Sequence, residues 1–136
     1  MEQTITVLVV DDNTANRELV IGRLTKILDS FHALEADDGR EALNIAAKEH
    51  IDLVITDLQM QEMNGDELIE ELLKQLPNLP IILASGAHAE ARKIADRYEG
   101  KIKILCKPYR PDHLQGAMEE LGFPTAHSRA DNQQCS

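Results

Sequence analysis

Tryptophan is absent, and aromatic residues make up only 3 % of the 136 positions. That removes most of the stacking surface on which bases, flavins or sugars are held. Cysteine is scarce too. Cys106 and Cys135 make no disulfide framework, so a reducing cytoplasm is the expected compartment. No apolar run approaches the roughly 20 residues of a membrane-spanning helix, so no membrane insertion is expected. The opening Met1-Glu2-Gln3-Thr4 lacks the basic segment and apolar core of a secretory signal. Positive charge is in deficit, with 14 Lys and Arg against 24 Asp and Glu and a net charge of −10. Such a surface repels phosphate backbones, and no direct contact with nucleic acid is expected. The acidity fits a cation site or a basic partner, and it also fits plain solubility.

What is present is an ordinary composition, 43 % hydrophobic and 28 % charged, in a length that suits one domain. Five short apolar runs punctuate it, at residues 5–10, 31–36, 53–56, 81–84 and 102–106. Val7-Leu8-Val9-Val10 and Leu53-Val54-Ile55 are apolar without a break, as in strands covered on both faces. His32 and Glu35 interrupt the second run and Lys103 the fifth, so these two are the expected edge strands. Helical stripes fill the gaps. They are Val20, Leu24, Ile27 and Leu28, then Ala42, Leu43 and Ala46, then Leu68, Leu72 and Leu76. Ala91, Ile94, Ala95 and Tyr98 make a thin fourth stripe, and Leu114, Ala117, Met118 and Leu121 a fifth. Strand–helix alternation five times over predicts an α/β fold, a doubly wound five-stranded parallel sheet with five helices. The order 2-1-3-4-5 suits two polar outer strands. No repeat appears beyond that alternation, and no stretch remains for an output domain. Residues 122–136 turn polar and are expected to form a disordered tail.

Four of the five runs end in a reactive side chain. Asp11 and Asp12 follow Val10, Asp57 follows Thr56, Ser85 follows Ala84, and Lys107 follows Cys106. In an open parallel sheet the ligand crevice lies beyond the carboxyl ends of the strands. These ends would gather three carboxylates, a hydroxyl and an ammonium into one pocket. Clustered carboxylates repel each other and call for a cation, and hard oxygen donors suit Mg²⁺. Asp11 and Asp12 could instead cap a helix starting near Asn13 or Thr14, a weaker reading once a third Asp ends another buried run. Asp57 is placed to attack a phosphoryl group and form an acyl phosphate. Lys107 would neutralise the transferring oxygens, and Ser85 could donate a hydrogen bond to one of them. The Lys107–Pro108 bond is of the kind able to be cis, which would aim the amine inward. Gly39 and Gly65 read as turn residues with positive φ. The five His show no metal-ligand spacing, and Cys106 reads as a small packing group.

Val9-Val10-Asp11-Asp12-Asn13, Asp57 closing Leu53-Val54-Ile55-Thr56, Leu83-Ala84-Ser85-Gly86 and Lys107-Pro108-Tyr109 together resemble the receiver domain of two-component response regulators. The resemblance covers residues 4–121 and implies the flavodoxin-like fold. It makes Asp57 the phosphoryl acceptor, Ser85 the switch residue and Lys107 the charge-neutralising lysine. Asp11, Asp12, Asp57 and the backbone carbonyl of Gln59 would hold Mg²⁺, for which Mn²⁺ can substitute. Asp12 is implied as a direct ligand and Asp11 as one acting through water. The implied donor is a phosphohistidine on a sensor histidine kinase or a histidine phosphotransfer protein. The implied activity is self-phosphorylation with at most slow autodephosphorylation, not enzymatic turnover. One departure stands out. The family often has an aromatic residue three positions before the lysine, and here that residue is Ile104. Residues 11–17 and Lys107-Pro108-Tyr109-Arg110-Pro111 look more like receivers of hybrid sensor kinases. A stand-alone shuttle and a domain of a longer hybrid kinase both remain open.

Three rivals share parts of this pattern. A flavodoxin-type cofactor binder needs a phosphate loop after the first strand, where this chain has Asp-Asp-Asn. A haloacid-dehalogenase-like phosphatase wants a second acid two residues after its nucleophile, where this chain has Gln59. A pseudo-receiver that serves only as a docking scaffold would not need the intact acidic site.

Overall fold

The computed structural model describes residues 4–60, 63–98 and 101–125. The apolar runs are the strands β1 (Ile5–Val10), β2 (Phe31–Ala36), β3 (Leu53–Asp57), β4 (Ile81–Ser85) and β5 (Ile102–Cys106). All neighbours pair in parallel, in the order β2-β1-β3-β4-β5. The two polar runs are the sheet edges, as expected. β3 and β4 each reach one residue past their apolar run. Asp57 lies opposite Ala84, and Ser85 lies opposite Cys106. Both reactive residues are therefore held by the sheet and not by a loop.

The helices are α1 (Thr14–Ile27), α2 (Gly39–Lys48), α3 (Gly65–Gln75), α4 (His88–Asp96) and α5 (Pro111–Glu120). Side chains alternate across a strand, so β1 sends Val7 and Val9 to one face and Leu8 and Val10 to the other. The first face packs under α1 and α5 against Val20, Leu24, Leu114 and Met118. The second packs under α2, α3 and α4 against Ala42, Leu68, Leu72 and Ile94. Ile69 adds a fully buried side chain to the expected stripe of α3. α4 contributes only Ala91 and Ile94 as buried residues, consistent with its thin stripe.

Caps fix where the helices begin. Asn13 caps α1, its side-chain oxygen accepting from the Asn16 N–H at 3.2 Å. Capping is therefore not the task of Asp11 and Asp12. Asp38 caps α2 by accepting from the Glu41 N–H at 2.7 Å. α3 opens with a reciprocal capping box between Asn64 and Glu67. Asn64→Ala is expected to lower the unfolding free energy by about 1 kcal/mol, read from the urea midpoint.

Gly39 and Gly65 are not positive-φ turn residues. Among the described glycines only Gly122 has positive φ, at 98°. Both others open helices and are needed for close approach. A Cβ on Gly65 would lie 2.6 Å from the Asp57 carbonyl oxygen and 2.8 Å from Leu58 Cα. A Cβ on Gly39 would sit within 2.9 Å of the Met63 side chain. The expected tail divides in two. Its first residues fold back on α5, with the Phe123 N–H donating to the Met118 carbonyl at 2.9 Å. The Thr125 hydroxyl also bonds to Glu119 Oε2 at 2.8 Å. Residues 126–136 lie outside the described residues.

Candidate functional site

Asp11, Asp57 and Lys107 meet at the carboxyl edge of the sheet, and Ser85 ends the neighbouring strand β4. Asp11 leaves β1 with its N–H still bonded to the Ala36 carbonyl of β2 at 3.1 Å. Lys107 leaves β5 with its N–H on the Ser85 carbonyl of β4 at 3.1 Å. The backbone that carries each group is thus an extension of the ladder. The Lys107–Pro108 peptide is cis.

The Lys107 ammonium lies 3.4 Å from Asp57 Oδ1 and 3.9 Å from Asp11 Oδ2. One cation therefore spans carboxylates from two strands. Asp11 is 5 % exposed, and its Oδ1 accepts from the Asn13 N–H at 2.9 Å. Asp57 Oδ1 accepts from the Leu58 N–H at 2.9 Å. Burial is the largest influence on Asp57 and pushes its pKa up. The Lys107 charge and the Leu58 N–H pull it down, and the Asp11 carboxylate pushes it up again. The net rise means that a single lysine does not fully repay the loss of water and the repulsion at this point.

The backbone after Asp57 is fastened from two sides. The Thr56 hydroxyl donates to the Asp57 carbonyl at 2.9 Å, and the Gly65 N–H donates to the Leu58 carbonyl at 2.6 Å. Ser85 is buried, and its hydroxyl oxygen accepts from the Ala87 N–H at 2.9 Å. Its hydrogen is left to donate elsewhere. Ala87 is the N-cap of α4, which has no side-chain cap of its own.

Asp12 and Gln59 are exposed at the ends of β1 and β3. The Asp12 carboxylate makes no hydrogen bond or ion pair among the described residues. Among those residues, no three His, Cys, Asp or Glu side chains close into a metal cage. A donor set of the Asp11, Asp12 and Asp57 carboxylates and the Gln59 carbonyl would be all oxygen and only partly supplied by side chains. That fits Mg²⁺, which keeps several waters and takes one or two carboxylates. A cleft of about 310 Å³ opens beside Asp57, lined by Ile55, Ala84, Arg23 and Tyr109 among others.

Two aromatic questions resolve by face. Ile104 is half-buried against the cluster under α4, whereas Tyr109 is buried in the cluster under α1 and α5. Tyr109 therefore cannot stand in for an aromatic residue at position 104. The Arg23 guanidinium lies 4.7 Å from its ring centroid, and burial pushes the Tyr109 hydroxyl pKa up.

Sequence reasoning passed over Arg17 and Glu35. Arg17 Nε donates to Glu35 Oε1 at 2.8 Å, Nη1 to the Asp11 carbonyl at 2.6 Å and Nη2 to Thr14 Oγ1 at 3.1 Å. Glu35 was legible only as a polar break in an edge strand, because its partner lies 18 residues away.

The model of the response regulator receiver domain matches residues 7–119. The transcriptional regulatory protein GlrR of Escherichia coli is 33 % identical over 113 residues, 83 % of this chain and 25 % of its own length. The chain thus spans about a quarter of the length of the first curated relatives it matches. A chemotaxis protein CheY homolog of Campylobacter jejuni is 33 % identical over 117 residues, 84 % of this chain and 89 % of that protein. Among solved structures, CheY4 of Vibrio cholerae matches with a TM-score of 0.77 at 28 % identity, covering 88 % and 99 % of the two chains. The response regulator TrrA of Thermotoga maritima, solved in complex with Mg(2+)-BeF, matches with a TM-score of 0.75 at 27 % identity, covering 87 % and 99 %. With β2-β1-β3-β4-β5 topology and an acidic edge closed by Lys107, the chain belongs to the response regulator receiver domain family.

Proposed function

We propose that Asp57 accepts a phosphoryl group from a phosphohistidine on a sensor histidine kinase or a histidine phosphotransfer protein, in a Mg²⁺-dependent reaction. The observation that carries this reading is the Lys107 ammonium within 4.0 Å of both Asp57 and Asp11 at the carboxyl ends of separate strands. A carboxylate oxygen of Asp57 forms the new bond to phosphorus. The N–P bond breaks and its electron pair returns to the ring nitrogen, so a phosphohistidine that carries a proton on its other ring nitrogen leaves as neutral imidazole. Lys107 holds positive charge beside the phosphoryl oxygens, and Ser85 donates its hydroxyl hydrogen to one of them. Asp11, Asp12, Asp57 and the Gln59 carbonyl would hold Mg²⁺, with Mn²⁺ as a substitute, and the ion supplies further positive charge to the same oxygens.

The acyl phosphate then alters the surface offered to partners. Turnover is confined to slow hydrolysis of the domain's own acyl phosphate, and the cytoplasm is its compartment. Among the described residues no helix is long and apolar enough to cross a membrane. The direct test is incubation with acetyl phosphate and Mg²⁺ followed by intact-mass measurement. One phosphoryl mass gain, stable in acid and lost in base, is expected, and EDTA should prevent it. A protein that gains no mass with Mg²⁺ overturns the reading in favour of a docking scaffold.

A further inference from the structure

We propose that Arg17 is a positioning residue for the cation site, acting by clamping the peptide that joins Asp11 to Asp12. The inference rests on the reading that these two carboxylates hold a divalent ion. Arg17 lies in the first turns of α1 with its side chain only 12 % exposed. Its planar fork reaches three partners on three pieces of structure: β2 through Glu35, the end of β1 through the Asp11 carbonyl, and the start of α1 through Thr14. A lysine could not make that set, because its donors sit on one atom.

The Asp11 residue is consequently gripped at both ends. Its N–H is tied to the Ala36 carbonyl at 3.1 Å and its carbonyl to Arg17 at 2.6 Å. A trans peptide is planar, so fixing the Asp11 carbonyl also fixes the N–H and Cα of Asp12. That matters because the Asp12 carboxylate has no partner of its own among the described residues. Its aim depends on the backbone, and the backbone depends on Arg17. Glu35 pairs the guanidinium at 2.8 Å, so the clamp places little uncompensated positive charge next to a cation site. Residues that orient metal ligands commonly change affinity strongly when removed.

Charge and positioning predict opposite signs, which makes the test sharp. Deleting a positive charge near a cation site strengthens binding by Coulomb's law. Losing the clamp weakens it. The Mg²⁺ dissociation constant is measured by isothermal titration calorimetry on the folded protein, alongside urea unfolding in EDTA. Arg17→Met is expected to weaken Mg²⁺ binding about tenfold. Arg17→Lys keeps the charge, removes only the fork and should weaken binding comparably, and it carries the test if the Met variant does not fold. Lys26→Met, an equal change of charge in the last turn of α1, controls for net charge and should leave the constant near the parent value. Unchanged or tighter binding in Arg17→Lys, even with a lower urea midpoint, would reduce Arg17 to a structural bridge and overturn the inference. A parent protein that binds no Mg²⁺ would instead overturn the cation-site reading beneath it.

Discussion

Asp57→Asn is expected to abolish phosphoryl incorporation and, in the same protein, to raise the melting temperature measured in EDTA at pH 7. The first effect follows from the loss of the nucleophile, since an amide oxygen forms no stable acyl phosphate. The second follows from burial, which raises the Asp57 pKa in the fold above its ordinary value of 3.8. A group whose folded pKa is raised binds its proton more tightly folded than unfolded. Between 3.8 and its folded pKa, stability therefore falls as pH rises. At neutral pH the charged carboxylate is a cost that the amide, a neutral shape mimic, does not carry. The advantage of the variant should shrink as the pH falls towards 3.8, where the parent carboxyl becomes neutral as well. Mg²⁺ should reverse the ranking. It raises the melting temperature of the parent by binding only the folded state, and a variant short of one carboxylate gains less. Thermal melts at pH 7 and near pH 4, with EDTA and with Mg²⁺, check all three signs. A parent that melts above the variant in EDTA at pH 7 would contradict the argument from burial.

Gly65→Ala is the second large effect. The new methyl would meet two backbone atoms, the Asp57 carbonyl oxygen at 2.6 Å and Leu58 Cα at 2.8 Å. Neither can turn aside as a flexible side chain would. Either α3 backs away, breaking the 2.6 Å bond from the Gly65 N–H to the Leu58 carbonyl, or the segment after Asp57 shifts. The expected loss of stability is about 1–3 kcal/mol, the range for overpacking a tight site. Phosphorylation by acetyl phosphate should slow by at least about tenfold, because small misplacements of a reacting group are costly. Gly22→Ala is the matched comparison. It lies inside α1 with nothing within 4 Å of the added Cβ. There the change should stabilise by roughly 0.5–1 kcal/mol, since alanine suits a helix interior better than glycine. Urea titrations of both variants, with mass-resolved phosphorylation rates, separate the two expectations.

The contrast between these glycines marks what the sequence could tell. Strand positions were legible because each run carries its own apolar pattern, and two of them carry it on both faces. The polar interruptions at His32, Glu35 and Lys103 marked β2 and β5 as the edges and suited the observed order without fixing it, since they say nothing of how the three inner strands are arranged. The positions of Asp57 and Lys107 were legible because each stands directly after such a run. Gly65 was misread because its reason is a neighbour across space, and nothing near it in the chain records what α3 meets at its first residue. Arg17 was missed for the same cause. Its three partners come from β2, the end of β1 and α1, and only Thr14 is within its own turn. Asp11 and Asp12 read as candidate caps of a helix starting near Asn13 or Thr14; the cap is Asn13 itself, and residue type could not show this because Asp and Asn cap almost equally well.

The order of the strands also sets a ruler for one side chain. β5 does not touch β3, since β4 lies between them. At roughly 4.8 Å per interval, the two backbones stand about 9.6 Å apart. A cation rooted beside β5 and a carboxylate rooted on β3 must share that span, and the four methylenes of lysine cover most of it, with the Asp57 side chain and the 3.4 Å contact closing the rest. A shorter basic residue would stop over the intervening strand. The neighbouring carboxylates call for a positive charge at position 107, and the sheet's wiring sets how long its tether must be.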